Sequence, residues 1–171
     1  MAHLNVEIKA WCANPDAARE TLIGQGAHFI GKDRQTDSYF RVPNGRLKLR
    51  EGQIENALIH YSRIDQAGPK TSEVSLYSPS SGPALKTLLT HALGILVVVD
   101  KQREIYFIDN VKFHIDSVTG LGNFVEIEAI DLAGNLGQTF LEKQCARYLD
   151  LLAINPADLL THSYSDMLLQ P

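Results

Sequence analysis

The sequence predicts an α+β fold in which an antiparallel, closed β-barrel of about eight strands is flanked by helices. Three observations support this fold class. Strand-like runs outnumber helical ones, ionisable residues alternate with apolar residues along most of those runs, and individual strands gather charges of one sign. A closed or cupped sheet accounts for the gathered charges, because it turns the charged faces inward while the helices cover the apolar faces.

Length and composition fit a single domain over residues 1–171 with a sizeable core and a formal net charge of −4. The longest apolar run, residues 92–99, is far too short to span a membrane. Cys12 and Cys145 are too few for a disulfide framework or a cysteine-built zinc site, so a reducing, cytoplasmic setting is expected. The net charge offers no general attraction to nucleic acid or acidic lipid, so any anion site must come from local clusters of cations.

Helices are predicted at four places from their capping residues and apolar spacing. An Asn-Pro pair opens the first and the last, because proline fits the first position of a helix. A glycine ends the first and the second. The predicted helices run from residue 14 to between 24 and 26, over 83–94 and about 137–152, and from 155 onward.

Strands are predicted between these helices from runs rich in β-branched and aromatic residues. Asp109 and Asn110 form a tight polar turn between two of the runs, which is typical of a hairpin, and Gly120 and Gly122 indicate another hairpin turn. The predicted strands cover residues 3–11, 37–41, 46–50, 57–63, 72–77, 101–108, 111–116 and 124–130.

The charged residues follow the alternation of the predicted strands, in which residues two apart share a face. One such face is entirely cationic and another is entirely anionic, whereas a surface exposed to water usually mixes the two signs. The segregation favours inward-facing charges over the alternative, an ordinary half-solvated sheet. The aligned sets are Asn5, Glu7 and Lys9; Arg46, Lys48 and Arg50; Lys101 and Arg103; Lys112, His114 and Asp116; and Glu126 and Glu128.

The chemistry of these side chains predicts the kind of ligand that such a barrel would hold. Arginine and lysine suit a polyanion, and the arginine guanidinium matches phosphate oxygens. The carboxylates would repel that polyanion unless a cation lay between them, and oxygen ligands suit Mg²⁺ or Mn²⁺. The mixed set therefore predicts a metal-bound polyphosphate.

Five motifs, in order along nearly the whole chain, carry a resemblance to a known family. They are Asn5-Val-Glu-Ile-Lys9, Arg46-Leu-Lys-Leu-Arg50, Lys101-Gln-Arg-Glu-Ile-Tyr-Phe107, Thr119-Gly-Leu-Gly-Asn-Phe-Val-Glu-Ile-Glu128 and Ser163-Tyr-Ser-Asp-Met-Leu168. Together they resemble the CYTH superfamily, also called triphosphate tunnel metalloenzymes. The last motif resembles the tail of its class IV adenylyl cyclases, and Tyr164 and Ser165 are candidates to close one mouth of the tunnel.

The resemblance implies a tunnel-shaped barrel that processes a small-molecule triphosphate with Mg²⁺ or Mn²⁺. By motif position, Glu7, Lys9 and Glu126 would be catalytic, and His114 is a candidate base or phosphate donor. The metal ligands would be Glu7, Asp116, Glu126 and Glu128. Phosphate would be held by Lys9, Arg46, Lys48, Arg50, Lys101 and Arg103, joined on a looser match by Arg63 and Lys70.

One departure from the family pattern bears on activity. Asn5 stands where the family usually has its first glutamate, so one negative charge is missing from the expected metal site. The favoured reaction is that of an adenylate cyclase, ATP to cyclic AMP and pyrophosphate. Hydrolysis of tripolyphosphate or thiamine triphosphate is a second reading, and a polyphosphate-binding module without turnover is a third. No nucleic-acid or membrane partner is expected, and the oligomeric state, a homodimer included, stays open.

Overall fold

A closed antiparallel barrel is the centre of the computed structural model, which describes residues 2–63, 66–79 and 83–170. Within those residues, neighbouring strands follow the order β1-β5-β4-β3-β2-β6-β7-β8 and then return to β1. The strands are β1 (Ala2–Trp11), β2 (His28–Phe40), β3 (Arg46–Glu51), β4 (Ala57–Arg63), β5 (Lys70–Tyr77), β6 (Ile95–Ile108), β7 (Val111–Val118) and β8 (Gly122–Asp131). The predicted fold class is confirmed.

The helices flank this barrel, and the first three begin within one residue of their predicted starts. The Asn14 side chain accepts a hydrogen bond from the backbone N–H of Ala17 at 3.1 Å, which satisfies one donor of the first turn. The fourth predicted helix is a single 3-10 turn, Pro156–Asp158, after which the chain forms a helix that the apolar spacing did not indicate. The helices are α1 (Pro15–Gly24), α2 (Pro83–Leu93), α3 (Gln138–Leu151) and α4 (Tyr164–Leu169).

Two strands are longer than their sequence patterns indicated. Strand β2 begins at His28 instead of residue 37, and β6 begins at Ile95 instead of residue 101. These two strands pair with each other over almost their whole lengths, from His28 with Phe107 to Phe40 with Ile95. The first half of β2 is held by this pairing, although its own residues show little apolar alternation.

The main hydrophobic core lies between the outer face of the barrel and α3. Leu141, Cys145 and Tyr148 lie on one face of α3 and are buried against β1, β7 and β8, where they meet residues such as Val6 and Phe113. Since apolar residues of these strands face outward to this core, the alternate residues face the interior of the barrel. Among the described residues, no helix is long and apolar enough to cross a membrane.

Candidate active site

The barrel encloses a cavity of about 430 Å³ that is lined by alternate residues of its strands. Its size lies in the range of small-molecule sites. The cationic lining residues are Lys9, Lys48, Arg50, Arg63, Lys101, Arg103 and Lys112, and the carboxylates are Glu7, Asp37, Glu55, Glu126 and Glu128. The charged faces of the strands thus meet inside one tunnel.

A cluster that we call the cationic wall is built around Asp37, with Lys48, Arg50 and Lys101 as its cations. Arg50 donates two hydrogen bonds to the Asp37 carboxylate, each 2.9 Å long. Lys101 Nζ lies 2.7 Å from Asp37 Oδ2, and Lys48 Nζ lies 3.2 Å from the same oxygen. Burial alone would raise the pKa of Asp37, but the three cations outweigh it and hold that pKa well below its usual value. Asp37 therefore stays charged and keeps these cations in place.

Lys101 is the most perturbed cation of this wall. Its burial lowers its pKa to about 7 although Asp37 acts in the opposite direction, because Arg50 and Arg103 also disfavour its charge. A phosphate placed beside Lys101 would favour the charged amine again. Its protonation is therefore coupled to the presence of an anion in the tunnel.

Glu55 is a tunnel carboxylate that the sequence reasoning missed, because it lies in the loop between β3 and β4. Its side chain accepts a hydrogen bond from Arg50 Nη1 at 3.0 Å and pairs with Lys112. The loop is fixed by Asp33, whose carboxylate accepts the backbone N–H groups of Gln53, at 2.8 Å, and Glu55, at 2.9 Å. No pattern within the loop itself signals this contact with β2.

A second cluster, which we call the acidic wall, comprises Asn5, His114, Glu126 and Glu128 on β1, β7 and β8. Lys9 Nζ lies 3.1 Å from Glu126 Oε2. This ammonium, together with His114 and Arg103, holds the pKa of Glu126 well below its usual value against the opposing effect of burial. Asn5 donates its side-chain N–H to Glu128 Oε1, so the residue in place of the usual glutamate acts as a hydrogen-bond donor here.

The acidic wall contains a group of atoms that fits one divalent cation. A ring nitrogen of His114 and one oxygen each from Glu126 and Glu128 lie within 4.8 Å of one another. Three buried polar atoms of this wall have no hydrogen-bond partner among the described residues: the two ring nitrogens of His114 and Asn5 Oδ1. Two carboxylates suit Mg²⁺ or Mn²⁺, and the imidazole beside them is a ligand that first-row transition ions such as Mn²⁺ accept.

Asp116, a predicted metal ligand, lies deeper in the barrel wall. Arg103 donates to both of its oxygens, at 2.7 and 2.6 Å, and the Tyr164 hydroxyl donates to Oδ2 at 2.8 Å. Burial of Asp116 opposes its ionisation, but Arg103 lowers its pKa by more. In this geometry Asp116 fixes the orientation of Arg103, and its role as a ligand stays a prediction.

Other predicted residues are distributed along the tunnel. Glu7 lines the cavity beside its cross-strand neighbour Glu128 and forms an ion pair with Arg63. Arg46 lies outside this cavity and pairs with Asp166 at 2.9 Å, while the buried Lys70 donates to the backbone oxygen of Leu160 at 3.0 Å. The phosphate-binding roles of Arg46, Arg63 and Lys70 stay predictions.

The C-terminal segment packs where β1 ends and β5 begins. Leu160 donates its backbone N–H to the oxygen of Lys9 at 2.9 Å, and the Lys9 ammonium lies 3.9 Å from the centre of the Tyr164 ring. Ser163 and Tyr164 line the cavity. The segment thus packs against this part of the tunnel, while Ser165 lies outside the cavity, and closure of a tunnel mouth by Tyr164 and Ser165 stays a prediction.

Comparisons with known proteins agree with this geometry. No curated protein sequence matches the chain. The PH1012 protein of Pyrococcus horikoshii is 22% identical, with a TM-score of 0.83 over 95% of this chain and 98% of that one. A candidate adenylate cyclase from Vibrio parahaemolyticus is 17% identical, with a TM-score of 0.82 over 99% of this chain and 100% of that one. A candidate adenylyl cyclase from Hippeastrum, described with a dominant triphosphatase activity, is 13% identical, with a TM-score of 0.58 over 96% and 94% of the two chains.

These structural likenesses show a shared fold, and the sequence itself shows the family. The model of the CYTH domain matches residues 3–164, which is nearly the whole chain. Members of this family are enzymes of the triphosphate tunnel type, and the closed barrel with its charged interior has that architecture. The chain belongs to the CYTH domain family.

Proposed function

We propose that this chain is a divalent-metal-dependent enzyme that converts ATP to cyclic AMP and pyrophosphate inside the barrel. The observation that carries the proposal is the pairing of two walls in one cavity. The cationic wall suits a chain of phosphates, and the acidic wall suits a metal ion that would neutralise part of the phosphate charge.

The cationic wall, together with Arg103 beside it, would bind the phosphate chain of the substrate. Arg50 and Lys101 are held in place by Asp37, and Arg103 is held by Asp116, so these donors keep fixed positions before a ligand arrives. Donors that are already oriented stabilise charge in the transition state without reorganising. Phosphoryl chemistry depends mainly on such positioning and charge neutralisation.

The acidic wall would hold the metal through Glu126 and Glu128. When bound there, a divalent ion neutralises charge on phosphate oxygens and favours ionisation of a hydroxyl group. In the proposed reaction the ribose 3′ oxygen gives its proton to solvent water and forms a bond to the α-phosphorus. The bond from that phosphorus to the β-phosphate oxygen breaks, and pyrophosphate leaves. Lys9, which pairs with Glu126, would keep this carboxylate oriented.

An apolar strip in the tunnel supports an organic triphosphate over inorganic tripolyphosphate. On the cavity face of β4 and β5, Ile59 is paired across the strands with Leu76, and Tyr61 with Val74. Leu76 is 48% exposed, so apolar surface is open to a ligand at this end of the tunnel. Such a surface suits the base and sugar of a nucleotide more than additional phosphate groups.

The test is incubation with ATP, thiamine triphosphate or tripolyphosphate, each with Mg²⁺ or Mn²⁺, followed by phosphorus NMR of the products. Cyclic AMP with pyrophosphate from ATP is the expected result. Orthophosphate from any of the three would show a hydrolase in the same tunnel. Tight binding without any product would contradict an enzymatic function and favour a binding module.

A pair of variants controls this experiment. Glu126→Gln removes a tunnel carboxylate, whereas Glu51→Gln removes one that pairs with Lys86 of α2 and does not line the cavity. We expect normal product from Glu51→Gln and at least roughly 100-fold less from Glu126→Gln. Equal product from both variants would show that the acidic wall takes no part in the reaction.

A further inference from the structure

His114 has a buried side chain whose polar atoms lack partners. It is 1% exposed, and neither ring nitrogen has a hydrogen-bond partner among the described residues. The carboxylate oxygen Glu126 Oε1 lies 3.6 Å from Nδ1, which is too long for a hydrogen bond. Buried polar groups are usually satisfied, so an unpartnered imidazole that lines the cavity points to a ligand-binding role.

The position of His114 identifies the ligand class. On the cavity face of the barrel, His114 lies directly across the strands from Glu126, and Lys112 lies across from Glu128. A His114 ring nitrogen is within 4.8 Å of an oxygen from each of the two glutamates. Atoms that share one ion at about 2.1 Å lie within roughly 4.2 Å of one another, so small side-chain rotations would close this group around a cation.

A phosphate oxygen is a weaker explanation for the unpartnered imidazole. A phosphate seated against His114 would also face the carboxylates of Glu126 and Glu128, which repel it. A cation is attracted by both carboxylates and accepts an electron pair from the ring nitrogen. The surroundings of His114 therefore fit a metal ion better than the phosphate-donor role that its sequence position suggested.

We propose that His114 is a third protein ligand of the ion held by Glu126 and Glu128, and that its nitrogen makes the site prefer Mn²⁺ to Mg²⁺. The inference deepens the proposed function, because it concerns the metal site of the same tunnel. Mg²⁺ takes oxygen ligands almost exclusively, whereas imidazole is a good ligand for first-row transition ions. An oxygen-only site would not discriminate in this way.

Pulsed electron paramagnetic resonance of the full chain with Mn²⁺ alone tests the ligand directly, since a bound ¹⁴N nucleus modulates the signal. We expect the modulation in the wild type and its loss in His114→Asn. His3→Asn is the matched control: His3 also lines the tunnel, on β1, but lies four residues from Glu7, the cross-strand partner of Glu128. That separation is roughly 13 Å along a strand, so His3→Asn should keep the modulation.

Calorimetric titration provides the second readout. We expect His114→Asn to weaken Mn²⁺ binding by about tenfold or more and to change Mg²⁺ binding by less than about twofold. His114→Gln gives a second variant if the asparagine variant does not fold. The wild-type spectrum is informative whether or not either variant folds.

Three results would overturn the proposal: Mn²⁺ bound to the wild type without ¹⁴N modulation, modulation that persists in a folded His114 variant, and no Mn²⁺ binding at all. Turnover is measured separately. Modulation without product would support His114 as a ligand and contradict the proposed reaction. Product without modulation would support the reaction and contradict the histidine ligand.

Discussion

The two walls of the tunnel differ in how far their polar groups are satisfied without a ligand. In the cationic wall, all three cations share one carboxylate partner, Asp37. In the acidic wall, the ring nitrogens of His114 and the Oδ1 atom of Asn5 have no hydrogen-bond partner among the described residues. The first wall is therefore oriented in advance, whereas the second is incomplete. Four changes test this contrast.

The largest expected effect comes from the acidic wall. Glu126→Gln keeps the size of the side chain and removes the charge that would hold the metal. We expect turnover to fall by roughly 10²–10³-fold, the cost of removing one group that stabilises the transition state. Steady-state kinetics with Mn²⁺ measures this loss. Near-normal turnover would show that the metal is held elsewhere.

Asp37→Asn should destabilise the free protein, because it leaves Lys48, Arg50 and Lys101 without their shared counter-charge. Breaking a buried ion pair from one side costs about 3 kcal/mol of unfolding free energy. Urea unfolding measures it, with Asp100→Asn as a control, since Asp100 is exposed and accepts a hydrogen bond from Thr36.

Added tripolyphosphate should restore much of the stability of Asp37→Asn, since phosphate can replace the missing carboxylate. A variant that is as stable as the control would contradict an organising role for Asp37. A destabilised variant that tripolyphosphate does not stabilise would argue against phosphate binding at this wall.

Glu55→Gln should strengthen phosphate binding. In the free protein the Glu55 carboxylate pairs with Arg50 and Lys112, so an incoming phosphate has to compete with it. Its removal should raise the affinity for tripolyphosphate about tenfold, or roughly 1.4 kcal/mol. Calorimetry compares the tripolyphosphate affinity of Glu55→Gln with that of Glu73→Gln, a control substitution at an exposed residue of β5. Weaker binding by Glu55→Gln would contradict this competition and would show that Glu55 orients Arg50 for phosphate binding.

The smallest expected effect is a pH dependence due to Lys101. Its pKa of about 7 in the free protein should rise when phosphate binds, so the protein takes up a proton on binding above that pH. The contribution of Lys101 to phosphate binding is complete well below its free-protein pKa. The phosphate affinity falls by roughly fivefold over the first pH unit above that pKa, because the free amine is then mostly uncharged. Calorimetry in buffers of different ionisation enthalpy measures the uptake. Lys101→Met should abolish it, and Lys86→Met, outside the tunnel, should not.

Much of the fold follows from local patterns, because strand alternation is a short-range property. The faces shared by Lys48 and Arg50, and by Glu126 and Glu128, are recognisable within a few residues and do meet in the cavity. The first half of β2 lacks such a pattern, and only its pairing with β6 makes it a strand.

The site was less accessible to sequence reasoning, because its organisation depends on contacts between distant residues. Asp37 opens a predicted strand, but its role arises from cations on β3 and β6. Glu55 enters the tunnel only because Asp33 binds the backbone of its loop. Arg46 shares a strand with Lys48 and Arg50, yet it pairs with Asp166 beside the main cavity.

The central claim, that the two walls hold a metal and a triphosphate together, is tested most directly by measuring how each ligand changes the binding of the other. The Mn²⁺ affinity is measured with and without tripolyphosphate, and the tripolyphosphate affinity with and without Mn²⁺. Both affinities should rise by the same factor, because coupling between two sites is reciprocal. Equal affinities in the presence and absence of the second ligand would contradict the account.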